Sequence, residues 1–145
     1  MFERLVATVD GDRNRAARVI QAALEIANRH GGDVLVAHVR EVERPGAQLA
    51  RAGATPPSLH LESEEDAARL VSEAVQSFRD QGLHAEGAIG AAVGSTAKEL
   101  LQMAREFNAD LILVGDRGSH VTDLLLGGVA HRIVHQADCS VLVVR

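Results

Sequence analysis

Aromatic residues are nearly missing from this chain of 145 residues. It has no tryptophan, no tyrosine and only three phenylalanines. The chain therefore cannot stack bases on a row of aromatic side chains, and its core has to consist of valine, leucine, isoleucine and alanine. A net charge of −5 is also unfavourable for contact with a nucleic-acid backbone. Nucleic acid is thus not an expected partner.

Cysteine, lysine and long apolar runs are scarce as well. A single cysteine, Cys139, excludes an internal disulfide and a thiolate metal cluster. The only lysine, Lys98, does not lie in a glycine-lysine phosphate loop. No apolar run approaches the length of a membrane span, and the first residues lack a signal-peptide pattern, so we expect a cytoplasmic protein that does not contact a membrane.

The hydrophobic pattern that remains alternates between short apolar runs and amphipathic stretches. Residues 5–9, 34–39, 83–90, 111–114 and 141–144 are predicted strands, and 13–29, 63–82, 96–107 and 129–136 are predicted helices. Ser63-x-x-Asp66 predicts a helix N-cap, and Thr96-x-x-Glu99 predicts a capping box. A strand-helix alternation of this kind predicts an α/β fold with an open parallel sheet and helices on both faces.

Residues 40–62 interrupt this alternation. They contain all three prolines of the chain, Pro45, Pro56 and Pro57, and show no sustained periodicity. We therefore expect a flexible excursion beside the sheet, within a single domain that spans residues 1–145.

Glycines follow the fourth predicted strand and open the last helix. Gly115 and Gly118 flank a tight turn at the end of the strand, and Gly127-Gly128 precede the helix. Glycine permits close approach of the backbone, and the first N–H groups of a helix are unpaired donors, so the combination predicts an anion pocket that suits a phosphate. The alternative is that these glycines only shape a turn and end the preceding leucine run.

The same residues resemble the universal stress protein family. Its nucleotide-binding members carry Gly-x2-Gly-x9-Gly-(Ser/Thr) and end in a strand that reads Cys-Pro-Val-Leu-Val-Val, and this chain has Gly115-x2-Gly118, Leu-Leu-Leu-Gly-Gly-Val and then Cys-Ser-Val-Leu-Val-Val. The motif is degenerate, because only eight residues separate Gly118 from Gly127 and Gly128 replaces the hydroxyl residue. Loss of a neutral donor to a charged phosphate removes roughly 1.5–3 kcal/mol. We therefore expect nucleotide binding that is weakened rather than abolished.

The resemblance implies a fold and a binding mode. The fold is an open five-stranded parallel sheet of order 3-2-1-4-5, Rossmann-like and similar to the adenine nucleotide alpha hydrolases, in which Asp10 lies beside Gly115. Asp10 and the backbone around Thr8 and Val9 are implied to hold the nucleoside, and the main chain of Val39 to contact the base. The residues implied at the ribose and phosphate end are Gly115, Arg117, Gly118, Gly127, Gly128 and Val129. Asp10 could instead cap the first helix.

The resemblance also implies a regulatory role in the stress response with ATP or AMP as ligand, and Mg²⁺ is a candidate companion of the phosphates. The alternative is a nucleotide-independent interaction module of the same family. We expect a homodimer through residues 140–145, an unidentified protein partner, and no catalytic residues, although slow ATP hydrolysis stays open. His131 and His135 lie four residues apart on a predicted helix, but without a third ligand they do not predict a metal site.

Overall fold

Short apolar runs form the strands, as the sequence predicts. A computed structural model describes residues 1–41, 62–116 and 128–145, and five strands alternate there with four helices. The strands are β1 (Arg4–Thr8), β2 (Asp33–Glu41), β3 (Ala85–Ala92), β4 (Leu111–Gly115) and β5 (Ser140–Val144). The helices are α1 (Arg13–His30), α2 (Glu64–Arg79), α3 (Thr96–Glu106) and α4 (Gly128–Gln136). Most of the predicted excursion, residues 42–61, lies outside the described residues.

The five strands form one parallel sheet in the order β3-β2-β1-β4-β5, which confirms the expected fold. Val6 of the central strand pairs with Leu35 of β2 on one side and with Ile112 of β4 on the other. Strands β2 and β3 therefore follow β1 on one side of the sheet, and β4 and β5 follow it on the other side. The order reverses between β1 and β4, which makes this boundary the topological switch point.

Side chains just before three of the helices provide their N-caps. Asp12 accepts from the Arg15 N–H at 2.9 Å, and Ser63 accepts from the Asp66 N–H at 3.0 Å. At α3 the N-cap is Ser95, which accepts from the Lys98 N–H at 3.3 Å. The predicted capping box that starts at Thr96 is therefore wrong by one residue, because Thr96 already has its place inside the helix.

Two hydrophobic clusters cover the two faces of the sheet. Helices α1 and α2 pack on one face, and α3 and α4 pack on the other. Most of the buried residues are aliphatic, but Phe78 is fully buried and Phe107 is 7% exposed. The helical periodicity predicts both of these phenylalanines on the core side, so the core is mainly aliphatic and includes two of the three phenylalanines.

The sheet has β3 and β5 as its outer strands. The predicted position of residues 83–90 as an outer strand is therefore confirmed. Among the helices that the structure describes, none combines the length and apolar character needed to cross a membrane.

Candidate functional site

The carboxyl ends of β1 and β4 form the centre of the candidate site. The register pairs Ala7 with Leu113, and past this pair the chain runs from the end of β1 to Asp10 and from β4, which ends at Gly115, to Asp116. Ligands of open α/β sheets bind beyond the carboxyl ends of the strands at such a switch point. We call this region, defined by Asp10, Gly115 and Asp116, the crevice.

Thr8 and Val9 form the wall of the crevice at the end of β1. The Thr8 hydroxyl donates to the carbonyl of Leu113 at 3.1 Å, which joins the ends of β1 and β4. The Val9 N–H donates to the carbonyl of Ala37 at 2.9 Å, so it is already used within the protein. What Val9 can still offer a ligand is its side chain and the second lone pair of its carbonyl oxygen.

Val39 lies on β2 beyond the point where β1 ends. The carbonyl of Ala37 faces β1, because it accepts from Val9. Main-chain groups of a strand alternate between its two sides, so the N–H and carbonyl of Val39 also face the β1 side, where the paired register has ended at Thr8. The main chain of Val39 thus faces the side of β1, beyond the last paired residue of that strand, and its contact with a base stays a prediction.

The carboxylate of Asp10 is held by two neighbours in sequence. Its Oδ1 accepts from the Asp12 N–H at 2.9 Å, and its Oδ2 accepts from Arg15 Nε at 2.7 Å. Asp10 is therefore not the N-cap of α1, a role that belongs to Asp12. Instead, Asp10 supports the cap residue and forms an ion pair with Arg15, whose side chain is only 13% exposed.

The side chain of Arg15 lies against Gly115. A Cβ placed on Gly115 would be 2.7 Å from Arg15 Cδ and closer still to Arg15 Cγ. Gly115 thus allows the arginine stem to rest directly on the end of β4. Arg15 therefore contacts the two residues that the sequence predicted on opposite sides of the ligand, Asp10 and Gly115.

Charges of both signs surround this arginine. Its pKa is raised, first by the hydrogen bond that it donates to Asp10 and then by the charges of Asp10, Asp12 and Asp116. The pKa of Asp12 is lowered, first because its carboxylate accepts the Arg15 N–H. Asp116 is 8% exposed, and its Oδ2 lies 3.6 Å from Nε of Arg145. The described part of the crevice is consequently a cluster of three carboxylates and two guanidinium groups.

Helix α4 starts at Gly128, with Val129 as its second residue. Gly128 is exposed, and among the described residues no heavy atom lies within 4 Å of a Cβ built there, so these residues leave room for a side chain. Arg117, Gly118 and Gly127 lie outside the described residues. The structure therefore brings Asp10 and Gly115 together through Arg15, and it places Gly128 and Val129 in the first turn of α4.

His38 is a buried polar residue beside the crevice that the sequence reasoning did not assign to the site. Its Nδ1 lies 2.8 Å from the Val9 carbonyl oxygen, and its Nε2 lies 2.5 Å from Oε2 of Glu62. Because a carbonyl oxygen only accepts, Nδ1 carries a hydrogen and donates it to Val9. This connection ties the residue just before the N-cap of α2 to the end of β1.

Arg15 and Asp116 were also missed, and only Arg15 left a signal in the sequence. The first turn of α1 contains no acidic residue, and cations are unfavourable near a helix N-terminus by about 0.3–1 kcal/mol. An arginine in such a position predicts a compensating carboxylate nearby. The location of that carboxylate, and the contact with Gly115, depend on the packing of α1 on β4.

Histidine and cysteine do not form a metal centre in the part of the chain that the structure describes. The rings of His131 and His135 lie with their centroids 4.4 Å apart, but within the described ranges no group of three or more potential ligands is close enough to hold a metal ion. Burial raises the pKa of the Cys139 thiol, with further increases from Asp110 and Asp138. The thiol is thus kept in its less reactive protonated form.

A model of the universal stress protein family matches residues 1–145. The chain belongs to this family. The family assignment predicted from the glycines and the final strand is therefore confirmed. Universal stress protein YxiE of Bacillus subtilis (strain 168) is 28% identical over 151 aligned positions, with 100% of both chains covered. A universal stress protein of Thermus aquaticus, named for its place in the QAH/OAS sulfhydrylase 3′ region, is 30% identical over the full length of both chains.

A solved structure of the family has the same fold. The universal stress protein from Archaeoglobus fulgidus in complex with dAMP superposes with a TM-score of 0.68 at 24% sequence identity, and the match covers 100% of this chain and 98% of that chain. At this level of identity the likeness establishes the shared fold. The open parallel sheet and its switch point are therefore features of the family as well as of this chain.

The cap of α1 provides a prediction on pH dependence. Because the pKa of Asp12 is lowered in the folded state, its ionised form stabilises the fold above the unfolded value of 3.8, and this contribution is lost as the pH falls through the folded value. We expect Asp12→Asn to lower the melting temperature at about pH 7, and the difference from the unmutated chain to shrink below about pH 4. Thermal unfolding followed by circular dichroism at a series of pH values measures this. A difference that stays constant down to about pH 2 would contradict the role of the charge.

Proposed function

We propose that this chain is a stress-response regulatory protein that binds an adenine nucleotide, ATP or AMP, beyond the carboxyl ends of β1 and β4. The observation that carries the proposal is the crevice at the switch point, where Asp10 follows the end of β1 and Gly115 ends the neighbouring strand β4, with Arg15 in contact with both. Membership of the family supports a role in stress. The dAMP complex of the Archaeoglobus fulgidus neighbour supports an adenine nucleotide as the ligand class.

In this proposal the ligand extends from Asp10 to the first turn of α4. Asp10 accepts hydrogen bonds from the nucleoside, Thr8 and Val9 form the wall, and the main chain of Val39 contacts the base. The phosphates lie toward Gly128 and Val129, where the unpaired N–H groups of the helix favour an anion. Arg117, Gly118 and Gly127 are further proposed phosphate-end residues, and Mg²⁺ would accompany the phosphates.

The proposal gives the protein a binding role and assigns it no catalytic residue. Asp10 is ion-paired with Arg15 and accepts a second hydrogen bond from the Asp12 N–H, which is a poor arrangement for a general base because both carboxylate oxygens already have partners inside the protein. A turnover assay with ATP and Mg²⁺ tests this assignment. Sustained release of phosphate that Asp10→Asn abolishes would replace the binding role with an enzymatic one.

Calorimetric titration tests nucleotide binding directly. Purified protein freed of bound nucleotide is titrated with ATP, AMP and adenosine in parallel, each with and without Mg²⁺. Binding of ATP or AMP in the micromolar range supports the proposal, and a stronger response with Mg²⁺ supports the metal as companion of the phosphates. Absence of heat with all three ligands would contradict it.

Gly128 provides a sharper prediction, because no described residue would clash with a side chain there. We expect Gly128→Ser to tighten ATP binding roughly tenfold, since a hydroxyl donor to a charged phosphate contributes about 1.5–3 kcal/mol. Adenosine, which has no phosphate, should change less than about twofold. The matched control is Gly128→Ala, which adds the Cβ without the hydroxyl. Equal tightening of ATP and adenosine by Gly128→Ser would place the weakness of the motif elsewhere.

A second candidate function is a nucleotide-independent interaction module that acts as a homodimer with a further protein partner. Two observations favour it: Gly128 lacks a hydroxyl, and the Arg15 side chain already lies between Asp10 and Gly115. The homodimer, which belongs to both candidates, is proposed through residues 140–145, because β5 is an outer strand with Leu142 exposed. A twofold axis would pair two such edges and remove them from solvent.

A further inference from the structure

We propose that Arg15 determines the specificity of the crevice by occupying the space between Asp10 and Gly115 and competing with the nucleoside for the Asp10 carboxylate. This inference rests on the proposed function, because it concerns the affinity of the same site. It differs from that function in naming a residue that works against binding. Arg15 belongs to none of the positions that the glycine motif or the strand ends predict.

The first argument is the hydrogen bonding of Asp10. Arg15 Nε lies 2.7 Å from Oδ2, a short and charge-assisted contact, while Oδ1 accepts the Asp12 N–H. Both oxygens of the carboxylate therefore have a partner inside the protein. A ribose hydroxyl or a base amino group that approaches Asp10 has to share these oxygens or displace the guanidinium group.

The second argument is the fit of the arginine stem. Arg15 Cγ and Cδ lie on the face of Gly115, closer than any Cβ at that position would allow. Close packing and 13% exposure restrict Arg15 to this place, so the guanidinium group is held at Asp10 rather than moving in solvent. Because Gly115 has no side chain, the Arg15 stem can contact the end of β4, and there is also more room for a ligand.

The third argument concerns charge. Asp10, Asp12 and Asp116 all act on Arg15, and Arg145 lies beside Asp116. Removal of the Arg15 charge leaves three carboxylates against one guanidinium group in the described crevice. A neutral nucleoside then gains a free acceptor, whereas a polyanionic nucleotide gains the same acceptor but meets more negative charge. Loss of Arg15 should therefore favour adenosine more than ATP.

The test is titration of the full chain and of Arg15→Met, which keeps an apolar stem without the charge. We expect adenosine to bind about three- to tenfold more tightly to Arg15→Met. This factor corresponds to an unmutated chain in which Arg15 has left Asp10, and the site can bind, in about 10–30% of the molecules. ATP should tighten by a smaller factor. Arg18→Met, the same change of charge at an exposed position of α1, is the matched control and should leave both affinities unchanged.

Outcomes for the inference and for the proposed function are distinguishable. If the unmutated chain binds adenosine and Arg15→Met binds it equally or more weakly, competition by Arg15 is wrong and the proposed function stands. If none of the three ligands ATP, AMP and adenosine binds the unmutated chain, Arg15→Met or Arg15→Gln, the proposed function fails and the inference fails with it. Binding by Arg15→Met alone supports the competition and contradicts the proposed function for the unmutated chain. Arg15→Gln replaces Arg15→Met in each comparison if the latter does not fold.

A spectroscopic readout tests displacement in the unmutated chain. The Nε–H resonance of Arg15, assigned by its absence from Arg15→Met, reports on the contact with Asp10. As adenosine is added, this resonance is expected to move toward that of a solvated arginine. Saturation with adenosine that leaves the resonance unchanged would overturn the competition.

Discussion

Gly115→Ala is expected to lower the free energy of unfolding by about 1–3 kcal/mol, the range of overpacked sites. The added Cβ would collide with Cγ and Cδ of Arg15 and lie 3.3 Å from Val19 Cγ2. Cγ and Cδ are close to the helix backbone, so relief requires the whole Arg15 side chain to leave its place and give up the contact with Asp10. Urea unfolding at fixed protein concentration measures the change.

A double-mutant cycle assigns this cost to the contact with Arg15. In an Arg15→Ala background the colliding atoms are gone, so Gly115→Ala should cost about 1–2 kcal/mol less than in the unmutated chain. Gly128→Ala is the matched control, since a Cβ there meets no heavy atom of the described residues within 4 Å. The same cost of Gly115→Ala in both backgrounds would show that something other than the arginine stem excludes the side chain.

Val143→Pro is expected to weaken the proposed homodimer by roughly 30- to 100-fold, because twofold symmetry removes two hydrogen bonds worth about 1–1.5 kcal/mol each. The Val144 carbonyl accepts from the Asp116 N–H, so the main chain of Val144 faces β4. Since main-chain groups alternate sides along a strand, the N–H of Val143 faces away from β4, which is where a proline is tolerated in an outer strand. Sedimentation equilibrium measures the dissociation constant.

The control for this prediction keeps the N–H donor. Val143→Ala shortens the side chain but retains the main-chain group, so it should sediment as the unmutated chain does. Monomeric behaviour of the unmutated chain at micromolar concentration would contradict the proposed dimer itself. If Val143→Pro is folded and still dimeric, the dimer forms through another surface, and the edge of β5 is open to a different partner.

The predictions for Asp12, Arg15 and Gly115 all concern the end of β1 and its neighbours. The end of β1 is connected to β4 by Thr8, to β2 by Val9 and to the start of α2 by the pair of His38 and Glu62. Asp10 therefore projects from a well-supported strand end. This support is independent of any ligand, and it explains why we expect substitutions at Arg15 to change affinity without collapse of the crevice.

The positions of the helices and strands follow from the sequence because they depend on near neighbours. Apolar residues at helical spacing predict α1, and Asp12 and Ser63 cap their helices through N–H groups three residues away. Where the prediction failed, at Thr96, two adjacent hydroxyl residues offered the same chemistry and Ser95 took the role. The strand order followed from the resemblance to the family, and the structure confirms it.

The sequence determines the candidate site only in part. The sequence predicted Asp10 and Gly115 on neighbouring strand ends, but it did not predict that Arg15 lies between them. Helical periodicity specifies which face of α1 packs on the sheet. The conformation of the Arg15 side chain, at the edge of that face, depends instead on Gly115, which lies 100 residues further along the chain. Only the tertiary structure decides such a contact, because it results from the packing of α1 against the end of β4.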